Sequence, residues 1–392
     1  MAAAPSRGRH SSLTLSLPTT TARTGPPPTY PPIVKLSFNR HLFRQLCLWA
    51  CAAVLAAAPV SCNGLIYDDE GDCAPVYKVR FVYDMNMKFA DAFPHEVKDV
   101  TLYVINERTG QVVLQKHETG EALSQPGYTM DVEVEPGDYT LLAWCGEGHR
   151  SSFGVAEASQ KTGLSCTLLD RSAPQPGPWG TDGDHVRHRL GNLYHGRLEG
   201  QNFTSRQGTH TYTVPLTKNT NDIHIVLQHL SGEPVDKDAF TFAITDENGL
   251  MGWDNALLPE KPLTYYAWHK AAGTAGLDVP DYTAGGGTQG GRAIVEVSAA
   301  VAELSVARLM ESHRHSAFVD IYNDRGERIV HLPYIDYFLL VKGKQHEDMS
   351  DQEYLDRQDD YSMVFFLDKD NQWINSHIFI NSWKIVLQDT EL

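Results

Sequence analysis

Strict two-residue alternation limits the fold of this chain more than any other feature. In VYKVRFVY, Val76, Lys78, Arg80 and Val82 fall on one face and Tyr77, Val79, Phe81 and Tyr83 on the other, the pattern of a strand with one buried side. DVTLYVIN (99–106) repeats it, Glu107-Arg108-Thr109-Gly110 supplies a turn, and QVVLQKH returns. YTMDVEVEPGDYTLLAWCG predicts two strands joined at Pro136-Gly137. QGTHTYTVPL (207–216) also alternates, finishing this first unit or leading out of it. DIHIVLQHL and AFTFAITDENG restart the pattern, with Ile223, Ile225 and Leu227 sharing a face and Asp246-Glu247-Asn248-Gly249 reading as a hairpin turn. AIVEVSAAVAELSVARLM and SAFVDIYNDRGERIVHLPYI supply further strands. Helical period is scarce. The clear exception starts at Ser350, which with Glu353 forms a capping box ahead of a short helix, before Tyr361–Leu367 returns to strand. The expectation is an all-β chain of two antiparallel β-sandwiches, over 76–217 and 218–392, with a short helix in the second.

The N-terminal region follows different rules. Residues 1–33 are rich in Pro, Ser and Thr without apolar period and read as disordered. Leu46–Val60 is a 15-residue apolar run, about 23 Å as a helix and short of the roughly 30 Å membrane core. Lys35, Arg40 and Arg44 precede it, and residues 1–61 hold no acidic side chain. A basic flank, a short apolar core and small residues at its end describe a secretory signal. The run stops at Pro59-Val60-Ser61-Cys62, which resembles the lipobox cut by lipoprotein signal peptidase. That resemblance implies acylation of Cys62, removal of 1–61, and a tether over 62–75. The distance from Met1 suggests a start near Val34 or Leu36. The acidic run Asp68-Asp69-Glu70 is similar to the export signal that follows the lipidated cysteine in some Bacteroidetes surface lipoproteins.

Charge and cysteines exclude several function classes. Six of 33 basic residues and none of 49 acidic ones lie in 1–61, leaving 27 against 49, a net of −22. Such a chain will not hold nucleic acid through its overall field, and any membrane attachment must come from acyl chains. Cys47 and Cys51 leave with the signal, and Cys62 is the lipid site. Cys73, Cys145 and Cys166 remain as candidates for one disulfide, with three pairings open. There is no CxxC. His185, His188 and His195 with Asp182 and Asp184 fall in a Gly-rich stretch with no period to gather them, so loop histidines are the better reading. His313 and His315 lack a third ligand, and TAGGGTQGGR lacks the Lys-Ser/Thr of a phosphate loop. No metal or cofactor is expected. Neither G-x-S-x-G nor HExxH occurs, and no catalytic residue is assigned.

Two further motifs carry a resemblance. The first runs through Tyr83, Asp84, Asn86, Phe89, Ala90, Asp91, Phe93, Val97, Val100, Leu102, Tyr103 and Val104, with NLYHGRL (192–198) after it. The second comprises Gln352 to Arg357 and then Trp373, Ile374, Ile378, Ile380, Asn381 and Trp383, with Ser382 where a glycine is usual. Together they resemble the FimB/Mfa2 family of Bacteroidales fimbrial anchor and accessory subunits, over roughly 73–392. The resemblance implies two tandem transthyretin-like β-sandwiches and a lipoprotein of the outer membrane that attaches fimbriae to the cell surface. It implies a fimbrillin, the major fimbrial subunit, as partner, joined by β-strand complementation. The C-terminal strand 376–386, with Ile378, Ile380 and Ser382, is the first candidate contact, and its alternative is a plain core strand. A second function class is a surface adhesin that binds glycan or host protein through Trp253, Tyr265, Tyr266 and Trp268, although a packed loop is the better reading of that stretch.

Overall fold

The computed structural model describes residues 74–148, 151–173, 183–229, 231–280, 292–374, 377–381 and 383–386. The leader, Cys62, Cys73 and Ser382 lie outside these. Among the described residues the strands form four sheets, of seven, six, five and three strands, and the chain is all-β.

The first half contributes β1 (Val76–Val82), β2 (Asp99–Asn106), β3 (Val112–Thr119), β4 (Met130–Val132) and β5 (Gly137–Gly146). After them come β6 (Phe153–Val155), β7 (Ser165–Leu168), β8 (His185–Val186), β9 (Leu193–Phe203) and β10 (Thr209–Lys218), with one helical turn, α1 (Phe93–Glu96). The seven-stranded sheet runs β3-β2-β5-β9-β10-β1-β4. Its two parts meet on β10, where Leu216–Lys218 pair antiparallel with β9 and Thr209–Pro215 run parallel to β1. Val79 and Phe81 of β1, Val100 and Leu102 of β2, Leu141 and Ala143 of β5 and Val214 and Leu216 of β10 then share one core. Full burial of a side chain of this size contributes about 1.5–3 kcal/mol.

The close crossing explains the glycine of NLYHGRL. A Cβ on Gly196 would lie 2.6 Å from both Leu216 Cδ2 and Val214 Cγ1 and 2.9 Å from Pro215 O. Only a residue without Cβ lets β9 pass there unchanged.

The second half supplies β11 (Thr220–His229), β12 (Thr241–Asp246), β13 (Leu250–Gly252), β14 (Leu263–Tyr266), β15 (His269–Pro280) and β16 (Arg292–Ala307). It continues with β17 (Phe318–Tyr322), β18 (Arg328–Leu332), α2 (Tyr334–Leu340), α3 (Asp351–Arg357), β19 (Asp360–Leu367), β20 (His377–Ile380) and β21 (Trp383–Val386). The six-stranded sheet β15-β16-β11-β19-β20-β21 and the five-stranded sheet β18-β17-β12-β14-β8 share one core. Ile223, Leu304 and Phe365 enter it from the first sheet, and Phe242, Val319 and Val330 from the second.

Strand partners cross the expected 217/218 boundary. Asn219 alone separates β10 from β11. Yet β13 pairs with β7 in the three-stranded sheet, and β8 adds to β14. The small sheet covers the outer face of β2 and β5, so Tyr103, Leu142 and Trp144 join the core of the second half.

Several local expectations are corrected. The pairings β1–β10, β11–β19 and β14–β8 are parallel, in a fold expected to be antiparallel. Pro136-Gly137 connects β4 to β5, but the two do not pair, because β4 lies beside β1 and β5 between β2 and β9. Asp246–Gly249 is likewise no hairpin. Asp246 and Asn248 are buried, and the Asn248 side chain donates to Arg308 O (3.1 Å) and accepts from Tyr265 Oη (2.6 Å), which turns the chain away toward β7. Helix α2 begins inside the stretch expected as strand, which ran to Ile335: its buried residues Tyr334, Ile335, Phe338 and Leu339 follow helical spacing, but the apolar Tyr337 and Leu340 beside them hide it in the sequence.

Candidate assembly surface

The two motif stretches far apart in sequence meet in space. The first forms a tight loop after β1. Asp91 Oδ1 accepts from the amides of Tyr83 and Phe93, both at 3.1 Å. Asn86 Nδ2 donates to Tyr83 O (3.1 Å) and Ala90 O (2.8 Å). This cage holds Phe89 at φ 51° with its ring exposed. A non-glycine residue in that region is uncommon and persists only where its surroundings hold it. Here the holder is α3. Arg357 Nη1 donates to Asp84 O (3.0 Å) and Asn86 O (3.4 Å), and its guanidinium lies 4.4 Å from the Phe89 ring centre. Glu353 fixes Arg357 at 2.8 Å.

The amide and charged residues of the α3 motif are all occupied. Ser350 Oγ accepts from Glu353 N (3.0 Å) and caps the helix; the Glu353 carboxylate turns to Arg357, so only half of the expected capping box forms. Gln352 donates to Leu309 O (3.0 Å) and accepts from Glu311 N (2.9 Å). Asp356 takes Arg308 in a two-pronged pair at 2.7–3.0 Å, the fork geometry that makes Arg–carboxylate pairs strong. Arg308 also donates to Asn255 O. Asn255 and the junction residue Asn219 exchange side-chain amide bonds, 2.6 and 3.2 Å. His195 Nε2 lies 2.9 Å from Trp253 O, and since a carbonyl only accepts, that nitrogen carries the proton. Burial holds the His195 imidazole down at about 3, with Arg308 and Arg197 pushing the same way.

Sequence reasoning missed Arg308, Asn219 and Asn255. The one signal for Arg308 was a charge inside an otherwise apolar strand end, LSVARLM. The two asparagines left none.

The predicted contact residues of the adhesin reading are largely packed inside. Tyr265 and Tyr266 are buried on β14, and Trp253 is half-buried under Lys161 Nζ, 4.3 Å from its ring centre, and Arg197, at 5.4 Å. Trp268 is 36% exposed. These four do not form a surface platform, because only Trp268 is exposed while both faces of β14 are covered and Trp253 packs under two cations.

Ile378 and Ile380, the candidate strand-exchange residues, are fully buried on β20. That strand is paired on both sides, with β19 and β21, so a partner cannot reach its edge. Ser382 lies outside the described residues. Asn381 makes the turn at φ 46° and binds β19 twice, accepting from Ser362 N (2.8 Å) and donating to Ser362 O (2.9 Å).

Cys145 and Cys166 are both free. Cys145 shares the core of the first half, and Cys166 that of the second. A β5 residue facing one core is not placed to bridge to a β7 residue in the other, and the two pairings that involve Cys73 lie outside the described residues. Burial pushes the Cys166 thiol up to about 12 and Cys145 well above its ordinary value.

The histidines take separate partners. His185 lies 5.3 Å from the Tyr266 ring, His188 pairs with Asp170 at 2.8 Å, and His195 faces Trp253. His313 and His315 go to Asp246 (2.6 Å) and Asp336 (2.9 Å). Among the described residues no helix is long and apolar enough to cross a membrane.

A family model described as fimbrillin-A associated anchor proteins Mfa1 and Mfa2 matches residues 69–389. A solved structure described as a "putative adhesin" from Bacteroides thetaiotaomicron is 33% identical, with a TM-score of 0.68, covering 82% of this chain and all of that one. Another from the same organism, described as "putative polysaccharide binding proteins", is 27% identical with a TM-score of 0.62, covering 80% of this chain and 98% of that one. The fimbrial anchor protein Mfa2 from Porphyromonas gingivalis shares the fold, with a TM-score of 0.53 at 16% identity, over 81% of this chain and all of that one. No curated protein matches the chain.

Proposed function

The chain belongs to the Mfa2 family of fimbrillin-A associated anchor proteins, and we propose that it is a lipid-anchored outer-membrane subunit that holds a fimbria to the cell surface. In this reading acyl chains on Cys62 fix the protein, more than one chain being enough for stable attachment. A fimbrillin then joins the folded part by strand complementation.

The observation that carries the strand step is the edge position of β21. Trp383–Val386 pair with β20 on one side, and among the described residues the six-stranded sheet ends there. An edge strand offers a row of backbone donors and acceptors to an incoming strand. Because Ile378 and Ile380 are core residues, the contact moves outward from β20 to β21. The adhesin alternative has the Bacteroides neighbours behind it, but not the aromatic surface it requires.

Two experiments test the reading. Cys62→Ala should lose label from a palmitate analogue and leave the membrane fraction; equal labelling removes the lipid step. For the strand, neighbouring residues of an antiparallel ladder aim their N–H groups to opposite sides. One of Lys384→Pro and Ile385→Pro therefore removes an outward amide and spares the β20 ladder. That variant should keep its thermal melt and shed fimbriae into the medium. Cell-attached fimbriae of normal length with both variants would remove β21 from the mechanism.

A further inference from the structure

The first half holds a groove at the start of β1 that no part of the described chain fills. Its volume is about 830 Å³. It exists because β4 is short: Met130–Val132 pair with Val79–Tyr77, and the chain then runs on as Glu133-Val134-Glu135. Among the described residues no backbone hydrogen bond ties 133–135 to β1, and the Val76 amide is already given to Gly208 O (2.9 Å) on the β10 side.

The lining combines apolar and acidic side chains. Val76 on β1 and Val113 on β3 are 46% and 48% exposed, two of the few large apolar side chains left in solvent. Val134, also in the lining, is half-buried. Asp131, Glu133 and Glu135 are exposed. The one basic lining residue among those described, Lys78, is committed to Asp131 at 2.5 Å.

We propose that this groove docks an extended, basic segment of a second polypeptide, which lies along residues 133–135. Alternation dictates the chemistry: side chains of an extended segment on the Val134 side are apolar, while the alternate positions meet Glu133 and Glu135. Those alternate positions must be Lys or Arg, since like charges across an interface repel and opposite ones speed encounter and fix register. The same argument rejects this chain's own ends. The tether before Pro75 carries Asp68, Asp69, Glu70 and Asp72, and the tail carries Asp389 and Glu391. A second copy brings a net charge of −22 outside its leader and is repelled as well. The inference rests on the proposed function only in placing the protein beside other chains at the cell surface; it needs neither the lipid nor β21.

The test uses the full chain in detergent micelles and two labelled peptides, one alternating Val with Lys and one alternating Val with Glu. The Lys peptide should bind at least tenfold tighter in fluorescence anisotropy, with the difference shrinking as salt screens it. Hydrogen exchange should slow at 131–135 and 75–78 on binding. Glu133→Lys with Glu135→Lys, both exposed, should keep the melt of the parent and reverse the preference. Equal affinity for the two peptides, no binding, protection elsewhere, or an unchanged preference in the double variant would each overturn the groove. Failure here leaves the Cys62 and β21 experiments untouched, and failure there leaves this one.

Discussion

The guanidinium of Arg357 covers the Phe89 ring at 4.4 Å while its Nη1 donates to Asp84 O at 3.0 Å. One contact thus joins the loop after β1 to the end of α3, and the two most distant motif stretches become a single clasp. Arg357→Ala should cost about 1–3 kcal/mol, combining a cation–π contact with hydrogen bonds to a charged donor. Hydrogen exchange should quicken selectively at 84–91. Arg357→Lys should recover little, since an ammonium cannot reproduce the fork. Urea unfolding with exchange mass spectrometry measures both.

The Arg308–Asp356 pair is nearly buried, with side chains 10% and 13% exposed. Removing one partner strands the other charge. Arg308→Met should therefore cost about 3–5 kcal/mol, whereas Arg308→Met with Asp356→Leu should cost less than either single change. A double-mutant cycle on urea midpoints reads the difference, and additive losses would contradict it.

Gly196→Ala should lower stability by about 1–3 kcal/mol through overpacking at the β9–β10 crossing. Adding Val214→Ala should restore part of the loss, because Val214 Cγ1 is one of the atoms the new methyl meets. Thermal melts followed by circular dichroism decide it.

Two histidines should give opposite pH signatures around their unfolded value, about 6.5. Burial lowers His195, so its contribution is present above 6.5 and lost as pH falls toward about 3. His313 is raised by its hydrogen bond to Asp246, against the opposing pull of burial, so its contribution is full below 6.5 and lost as pH rises through its folded value. Relative to the parent, His195→Gln should then be most damaging at neutral pH, and His313→Gln most damaging in acid. Urea midpoints between pH 4.5 and 8.5 would expose parallel profiles, which this account forbids.

Most strands were legible because a two-residue period is local: each of β1, β2 and β11 shows its buried side within eight or ten residues. The cap of α3 was legible for the same reason, Ser350 and Glu353 being three residues apart. Helix α2 was not, because Tyr337 and Leu340 fill the gaps between its buried residues Tyr334, Ile335, Phe338 and Leu339, and an apolar run bounded by Pro333 suits a strand equally well.

Alternation and turn residues in the sequence alone determined that the chain is all-β and roughly where its strands lie, while the motif residues carried the resemblance to a fimbrial anchor family. What they could not carry was which strand lies beside which. Any alternating strand can pair with any other through the same backbone groups, so β4 beside β1, β13 beside β7 and β20 between β19 and β21 were decided by the shared cores. The polar bonds that tie the halves together were decided there too. Asn219, Asn255 and Arg308 read as ordinary polar residues along the chain, and only the approach of α3 and β13 to the β10–β11 junction takes them out of water, where each must find a partner.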